Sequence, residues 1–332
     1  MLGMSRGRPA PPRGGCRTGR EGGDRMRRSR ARMLGRYAFF LERFRSRYDL
    51  AEAYYRRALA RDPEDAQTRR HYAIFLETVR GRYDEADAQY RAALRLAPND
   101  PALLGDYADF LEHAVQDLDG AERYYRRALE ADPLHPGNLT NYATFLTEVR
   151  GEHGRAEALY QRALEVAPLH RNALFKYALF LTDVKGAYDD AAELYRVALE
   201  AYPGNGAIMA NLAGVLLLGG QAGEGRRMLS ACLRHPALQR PTADAAEVRF
   251  YQVVYGDPEE RPAALRALRR LLEAGVRSPG FQLGPHVAAA RGQGHPWAHW
   301  LGSLAAVLTG EAEPAVLDPW EDWAEARPDP VH

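Results

Sequence analysis

A tyrosine–alanine pair recurs along this chain at a constant spacing of 35 residues. The six copies are Tyr37-Ala38, Tyr72-Ala73, Tyr107-Ala108, Tyr142-Ala143, Tyr177-Ala178 and the variant Leu212-Ala213. A second apolar pair, Phe-Leu in five copies and Val-Leu in the last, follows each alanine two and three positions later. Six units that agree at this many positions indicate a repeat architecture, which builds an extended surface rather than a single catalytic centre.

Each repeat carries two apolar stripes with helical spacing. In the second repeat the first stripe consists of Tyr72, Phe75, Leu76 and Val79. The second stripe consists of Ala86, Tyr90, Ala93 and Leu94. Gly81 separates the two helices and Pro98 ends the second, while Asp100-Pro101 supplies a cap and a first-turn proline for the next helix. The pattern predicts an antiparallel pair of helices in every repeat.

One helical hairpin cannot bury both of its faces, so consecutive hairpins must stack. Alanines such as Ala73 and Ala86 allow the two helix backbones to approach closely, and the Tyr and Phe side chains fill the space towards the next repeat. We therefore predict an all-α fold, an α-solenoid of about six helical hairpins followed by a helical C-terminal cap.

The stretch NYATFLTEVRGEHGRAEALYQRALEVAP, which begins at Asn141, resembles the tetratricopeptide repeat (TPR). The resemblance covers residues 34–237 and departs from the family pattern in two ways. Tyr-Ala replaces Leu-Gly on the first helix, and the period is one residue longer than usual. Because the second helix keeps the family spacing, we expect the extra residue between the Phe-Leu pair and the following glycine. The sixth repeat lacks this residue.

A related family, the half-a-tetratricopeptide repeats of RNA-processing scaffolds, also shows YAxF and YxRAL strings. That family usually carries a tryptophan at the start of the first helix, and this chain has none there. The resemblance to TPR proteins is therefore the stronger one.

Charge and composition change along the chain. Residues 1–36 contain 11 Arg against Glu21 and Asp24, although the formal net charge of the whole chain is only +1. Gly, Pro and Arg dominate residues 1–33, which we predict to be a disordered basic leader, either a tether for an anionic surface or a solvated tail. We then place the repeats at 34–237, a degenerate repeat and capping helices at 238–310, and an acidic tail with two tryptophans at 311–332.

Composition also disfavours several classes of function. Outside the leader the chain is mildly acidic, so it lacks the broad positive face that nucleic acids require. Cys16 and Cys232 form neither a disulfide framework nor a metal motif, which fits a reducing compartment. The longest apolar run, AGVLLLGG at 213–220, is too short to cross a membrane. Two lysines among 45 basic residues are typical of GC-rich coding, and we expect a bacterial, cytoplasmic protein.

The resemblance implies that the first helices of the hairpins line a concave groove that binds a partner. Positions beside the Tyr-Ala pairs vary between repeats while the core positions hardly do, as expected for a specialised lining. The predicted groove residues are Arg70, His71, Asp106, Asp109, Asn141, Thr144, Lys176 and Asn211. The asparagines could bind a peptide backbone and the basic members carboxylates; the alternative is that each is an ordinary solvated residue.

Two further patterns concern the charge of the groove. Some family members hold carboxylates with a Lys and an Asn one helical turn apart, and no repeat here has that pair. Glu42, Glu77 and Glu112 recur on the first helices. They favour a basic peptide in the N-terminal half of the groove, although a solvated face would explain them as well.

The C-terminal third raises two questions. His286, His295 and His299 could suggest a metal site, but no Cys, and no Glu arranged as a general base, accompanies them, so we predict no metal. Trp320 and Trp323 either anchor the acidic tail on the last helices or form part of a short peptide offered to a partner.

No phosphate-binding loop, nucleophile elbow or paired-carboxylate motif occurs. We predict a non-catalytic scaffold without a cofactor, which binds a peptide segment or helix of a partner protein and neither a small-molecule substrate, a nucleic acid nor a membrane. The alternatives are an RNA-processing scaffold and an enzyme with its active site in the C-terminal helical region.

Overall fold

The computed structural model describes residues 17–279 and 281–326, with side chains from residue 25 onwards. The chain divides into two compact units, Met1–Asn141 and Tyr142–His332. All regular structure in the described residues is helical. In the described part of the chain, no helix combines the length and apolar character that crossing a lipid bilayer requires.

The first unit is built from three helical hairpins and the start of a fourth. Its helices are α1 (Arg17–Arg45), α2 (Tyr48–Arg61), α3 (Ala66–Thr78), α4 (Tyr83–Leu96), α5 (Pro101–Phe110), α6 (Leu118–Ala131) and the first part of α7 (Pro136–Phe145). The predicted helix starts are confirmed, because Asp100 accepts a hydrogen bond from the backbone N–H of Leu103 and Pro101 is the first residue of α5.

The second unit continues the hairpins and ends in shorter helices. Its helices are the end of α7, α8 (His153–Val166), α9 (Arg171–Phe180), α10 (Tyr188–Ala201), α11 (Gly206–Leu218), α12 (Ala222–Arg234), α13 (Ala243–Tyr255), α14 (Arg261–Glu273), α15 (Gly284–Gly292), α16 (Leu301–Thr309) and α17 (Glu321–Glu325). Six repeat hairpins and a helical C-terminal region are therefore present, as predicted.

The repeated aromatic residues join each hairpin to the next. The ring of Tyr55 on α2 lies 5.4 Å from that of Tyr72 and 5.7 Å from that of Phe75, both on α3. In the second unit, the ring of Tyr160 on α8 lies 5.6 Å from those of Tyr177 and Phe180 on α9. The alanines between the helices are fully buried. Stacking of hairpins, rather than closure of a single core, thus buries the apolar residues in each unit.

The extra residue of the 35-residue period lies where the sequence predicts it. The first helices of repeats three to five end in a π-helical turn, Leu111–Val115, Leu146–Arg150 and Leu181–Lys185. In the first five repeats a backbone N–H donates to the carbonyl of the recurring Leu six residues earlier, as from Glu152 to Leu146. In the sixth repeat Gln221 bonds to Leu216, only five residues earlier. A π turn absorbs one inserted residue and keeps the second helix in place.

Helix α1 corrects the prediction for the leader. Residues 17–33, predicted to be disordered, belong to α1, while residues 1–16 lie outside the described residues. Ala31 and Ala38 are fully buried, and a side chain on Gly35 would collide with Thr68 of α3. The helix thus packs through small residues. Such residues contribute little to a hydrophobic pattern, so the arginine-rich sequence around them shows no clear apolar periodicity.

The acidic tail folds back on the last helices. Trp323 is buried, its ring lies 4.6 Å from the guanidinium carbon of Arg269, and its carbonyl accepts a hydrogen bond from Arg269. Trp320 packs against the same apolar core and lies 5.0 Å from the ring of His299. Of the two alternatives for the tail, the structure supports the anchor. Residues 327–332 lie outside the described residues.

Candidate functional site

The first helices of the hairpins (α1, α3, α5, α7, α9 and α11) carry the predicted partner-binding residues; their surface is called the A-helix face. In the first unit, Arg70 on α3 bonds to Asp106 on α5 through Nε and Oδ2 at 2.5 Å. Burial raises the pKa of Asp106, and the adjacent guanidinium opposes that shift. Arg70 is thus already paired with a carboxylate of the chain.

The other predicted residues of the first unit lie near this ion pair. The ring of His71 lies 5.0 Å from that of Phe39, and burial together with the neighbouring Arg70 lowers its pKa. Asp109, Glu112 and His113 bring one potential ligand atom each to within 4.8 Å of one another. Asn141 is half-buried at the end of the unit. The predicted residues on α3 and α5 therefore form an ion pair beside an acidic cluster, whereas α1 of the same unit is rich in arginine.

Each repeated glutamate of the first unit is bound to a tyrosine of the second helix in its own hairpin. The hydroxyls of Tyr55, Tyr90 and Tyr125 donate to Glu42, Glu77 and Glu112 at 2.8–2.9 Å. Burial raises the pKa of Glu77 to about 7, and the nearby Asp109 and Asp106 add to the shift. These glutamates are structural members of the hairpins and not simply a solvated face.

In the second unit a cavity of about 840 Å³ opens on the A-helix face. Two predicted residues, Lys176 on α9 and Asn211 on α11, line it. Its further lining includes the aromatic residues His153, Tyr160, Phe175, Phe180 and Phe281 and the acidic residues Glu148, Asp183, Asp244 and Glu247. A cavity with mainly apolar walls and a few polar groups is the usual form of a ligand site.

The predicted polar residues at this cavity, Lys176 and Asn211, already have partners, as does the predicted Thr144 beside the lining residue Tyr160. Nδ2 of Asn211 donates to the carbonyl of Ala207 at 2.9 Å, and Oδ1 accepts from Tyr195 at 3.5 Å. Lys176 Nζ lies 3.8 Å from a carboxylate oxygen of Glu148. The hydroxyl of Thr144 lies 3.0 Å from that of Tyr160. The structure thus brings Lys176 and Asn211 to one cavity, where Asn211 is mainly structural.

The carboxyl groups around the cavity are partly desolvated. Glu247 on α13 is only 3% exposed and accepts a hydrogen bond from Ser278. Burial raises its pKa to about 7, and the neighbouring Asp244 contributes to the shift. The side chain of Asp183 is exposed, yet the protein around it is dense enough to raise its pKa to about 6. A cation in this cavity would stabilise the ionised forms of all three acids.

The sequence patterns agree with known families. Two models described as tetratricopeptide repeat match residues 34–101 with 149–206 and residues 185–236, and one described as "TmcB, TPR repeats" matches residues 81–134. The chain belongs to the tetratricopeptide repeat family. Proteins of this family are generally non-catalytic scaffolds for protein–protein interaction.

Solved structures confirm the fold of this TPR protein. It is similar to PilW, a type IV pilus biogenesis factor, with a TM-score of 0.54 and 19% identity over 71% of this chain and 98% of that one. A TPR protein from Parabacteroides merdae gives a TM-score of 0.51 and 15% identity over 73% and 93% of the two chains. PilF of Pseudomonas aeruginosa gives 0.50 and 19% over 63% and 90%. No curated protein matches the sequence.

Sequence reasoning missed the carboxylates that line the cavity. Asp244 and Glu247 lie on α13, in a segment that no longer follows the repeat, so variation between repeats could not single them out. Asp183 occupies the position of Glu148 one repeat later. This recurrence of an acidic residue was the one sequence feature that could have predicted acidic groups in the lining.

The three histidines of the C-terminal third each contact other residues of the fold. Nδ1 of His286 lies 2.8 Å from the hydroxyl of Tyr255, and burial lowers the pKa of this histidine to about 3. Nε2 of His295 lies 3.1 Å from the carbonyl of Val253. His299 packs edge to face with Trp320. Hydrogen bonding within the fold accounts for His286 and His295 without a metal ion.

Proposed function

We propose that this TPR protein is a non-catalytic scaffold that binds an extended segment of a partner protein on its A-helix face, with a basic side chain of that segment in the cavity of the second unit. The observation that carries this proposal is the cavity itself, which combines aromatic walls with four carboxyl groups. Its placement in the cytoplasm stays a prediction.

Charge determines which side chain fits. Among the described residues that line the cavity, Lys176 is the one lysine or arginine, and it lies beside Glu148. Asp183, Asp244 and Glu247 therefore leave an excess of negative charge. A guanidinium or ammonium group would offset this charge in a partly desolvated place, where electrostatic interactions are stronger than in water. The cavity is therefore complementary to a cation.

The aromatic lining favours arginine over lysine. Phe175 and Phe281 line the cavity together with the carboxylates, and the ring of Phe175 packs edge to face with Tyr195 at 6.0 Å. A guanidinium can stack on an aromatic face while it donates hydrogen bonds in its plane, whereas an ammonium group acts as a point charge. We infer that the bound segment carries arginine at the position that enters the cavity.

Selection from a random dodecapeptide display library on the full chain tests this function. We expect enrichment of arginine-containing peptides, and loss of that enrichment in the double variant Asp244→Asn, Glu247→Gln. Both substitutions keep the size of the side chain and remove its charge. The control variant is Glu165→Gln, Glu200→Gln, which removes two exposed carboxylates from α8 and α10. Enrichment of acidic peptides, or arginine enrichment unchanged in the cavity variant, would contradict the proposal.

A further inference from the structure

Helix α1 exposes a continuous apolar stripe at the N-terminal edge of the first unit. Met33, Tyr37, Phe40 and Phe44 follow one another at i, i+4, i+7 and i+11, and 40–71% of each residue is exposed. Met26 extends the stripe at 58% exposure. From Met26 to Phe44 the stripe is roughly 27 Å long at 1.5 Å per residue. Apolar surfaces of this extent on soluble proteins mark interaction sites; this one is called the α1 seam.

The later repeats show what kind of element covers this surface. Phe75, Phe110 and Phe145 occupy the position of Phe40 in later repeats and are completely buried. Tyr72, at the position of Tyr37, is 4% exposed against 46% for Tyr37. Within the first unit, the helix of the preceding hairpin covers Tyr72 and Phe75, with Tyr55 in ring contact with both. The α1 seam therefore has the shape of a surface that accepts a helix.

Charge determines which helix fits. Helix α1 contains ten arginines against Glu21, Asp24 and Glu42. Arg30 lies in line with the seam between Met26 and Met33, and Arg36, Arg43 and Arg45 lie beside it; all four are exposed. The guanidinium carbon of Arg45 lies 5.9 Å from the ring centre of Phe40. Opposite charges beside an apolar seam select partners in helix pairing.

We propose that the α1 seam docks an acidic amphipathic helix of a partner protein, with apolar side chains on Tyr37, Phe40 and Phe44 and acidic side chains opposite the arginines. A second copy of α1 would bring like charges together. Residues 1–16 contain three arginines and no acidic residue, so the same repulsion disfavours them as occupants. The acidic tail of the chain is held in its own unit by the buried Trp323.

Fluorescence anisotropy with a defined probe tests the docking. The probe is a labelled 21-residue helix of three heptads with leucine at the first and fourth positions and glutamate at the flanking ones; its counterpart has lysine in place of glutamate. We expect the acidic probe to bind the full chain and the lysine probe to bind at least about tenfold more weakly. Affinity for the acidic probe should fall when the salt concentration rises, because the flanking charges are exposed.

Substitutions locate the binding. Phe44→Glu places a carboxylate in the seam at a residue that is 71% exposed, so the fold should tolerate it, and we expect at least a tenfold loss of affinity. Phe40→Ser provides a second variant, and circular dichroism confirms that each is folded. The control is Leu169→Glu, at an apolar residue of the second unit that is 58% exposed.

Three results would overturn the proposal. The first is equal binding of the acidic and lysine probes, and the second is full affinity in both seam variants. The third concerns the occupant: sedimentation velocity of the full chain should show no concentration-dependent dimer, and a dimer that Phe44→Glu abolishes would assign the seam to self-association. The seam and the cavity lie in different units and use probes of opposite charge, so failure of one proposal leaves the other distinguishable.

Discussion

The two units use the same repeat but bind the tyrosine of the second helix in different ways. In the first unit Tyr90 donates to a carboxylate, that of Glu77, and Tyr55 and Tyr125 do the same. In the second unit Tyr160 pairs with the hydroxyl of Thr144 and Tyr195 with the amide of Asn211. Identical apolar positions therefore support different polar partners for this tyrosine, a carboxylate in the first unit and a neutral side chain in the second.

Threonine replaces the repeated glutamate in the second unit. Thr147 and Thr182 stand at the positions of Glu112, and their hydroxyls bond to the carbonyls four residues earlier, of Ala143 and Ala178. Four acidic groups of this unit line the cavity instead. The repeated carboxylates of the first unit are thus bound by tyrosines within their hairpins, whereas those at the cavity of the second unit have no tyrosine donor among the described bonds.

The comparison assumes that the apolar core is equivalent in both units. Phe110→Ala in the first and Phe180→Ala in the second should each reduce the free energy of unfolding by about 3–5 kcal/mol, because both side chains are buried against neighbouring tyrosines. Urea denaturation measures the change. Phe40→Ala, at the exposed edge, is the matched control and should cost less than about 1 kcal/mol. A cost below 1 kcal/mol at either buried site would break the assumed equivalence.

The raised pKa of Glu77 makes the first unit sensitive to pH. Its pKa is about 7 in the folded protein against 4.5 for the free side chain, so the folded state binds this proton more tightly. This group's contribution to stability is therefore lost as pH rises from 4.5 to 7. Between pH 4.5 and pH 8, the free energy of unfolding of the Glu77→Gln variant should rise by up to about 3 kcal/mol relative to that of the wild type.

Thr147→Val tests the same repeat position in the second unit, where the replaced side chain is not itself a carboxylate. Its stability difference from the wild type should not depend on pH. Urea midpoints at pH 4.5 and pH 8 provide both measurements. An equal pH dependence for the two variants would show that Glu77 does not carry the effect.

The tyrosine hydroxyls should contribute different amounts to the free energy of unfolding in the two units. At pH 8, Tyr90→Phe removes a donor from an ionised, half-buried carboxylate and should cost about 2 kcal/mol. Tyr160→Phe removes a neutral hydrogen bond to Thr144 and should cost about 1 kcal/mol or less. Denaturation of both variants under the same conditions gives the comparison. Equal costs would mean that the glutamates of the first unit are effectively solvated.

The smallest expected effect concerns the turn after the π-helical segment. Gln116 has φ 62° in the first unit, where the second unit has Gly151 at φ 66°. Gln116→Gly should stabilise the protein by roughly 0.5–1 kcal/mol, because glycine adopts this backbone conformation without strain. Loss of the hydrogen bond from the Gln116 side chain to the carbonyl of Glu112 offsets part of this gain. Gly151→Ala should destabilise it by about 1 kcal/mol. Thermal unfolding resolves both changes, and destabilisation by Gln116→Gly would show that the side-chain bond outweighs the backbone strain.

Features that repeat could be predicted from the sequence. The hairpins, the position of the inserted residue and its loss in the sixth repeat all follow from comparing copies within one chain. The pairing of Arg70 with Asp106 joins neighbouring repeats and depends on the rotamers of both side chains. Pattern reasoning placed both residues on one face but could not show that they neutralise each other.

Features that occur once could not be predicted. The cavity depends on Glu247 and Ser278, 31 residues apart in a region without periodicity. Its chemistry emerges only when α9, α11 and α13 bring their side chains together. The helical extension of α1 was missed because glycine and alanine, rather than large apolar residues, form its buried stripe.

Hydrogen exchange of the full chain with an arginine-containing peptide from the library selection tests the central claim most directly. We predict slower exchange in α9 with the following turn, which contains Asp183, and in α13, which contains Asp244 and Glu247. Exchange in α10 and α12 should be unchanged. The Asp244→Asn, Glu247→Gln variant should lose this protection. Protection confined to α10 and α12, or to α1, would contradict the assignment of peptide binding to the cavity.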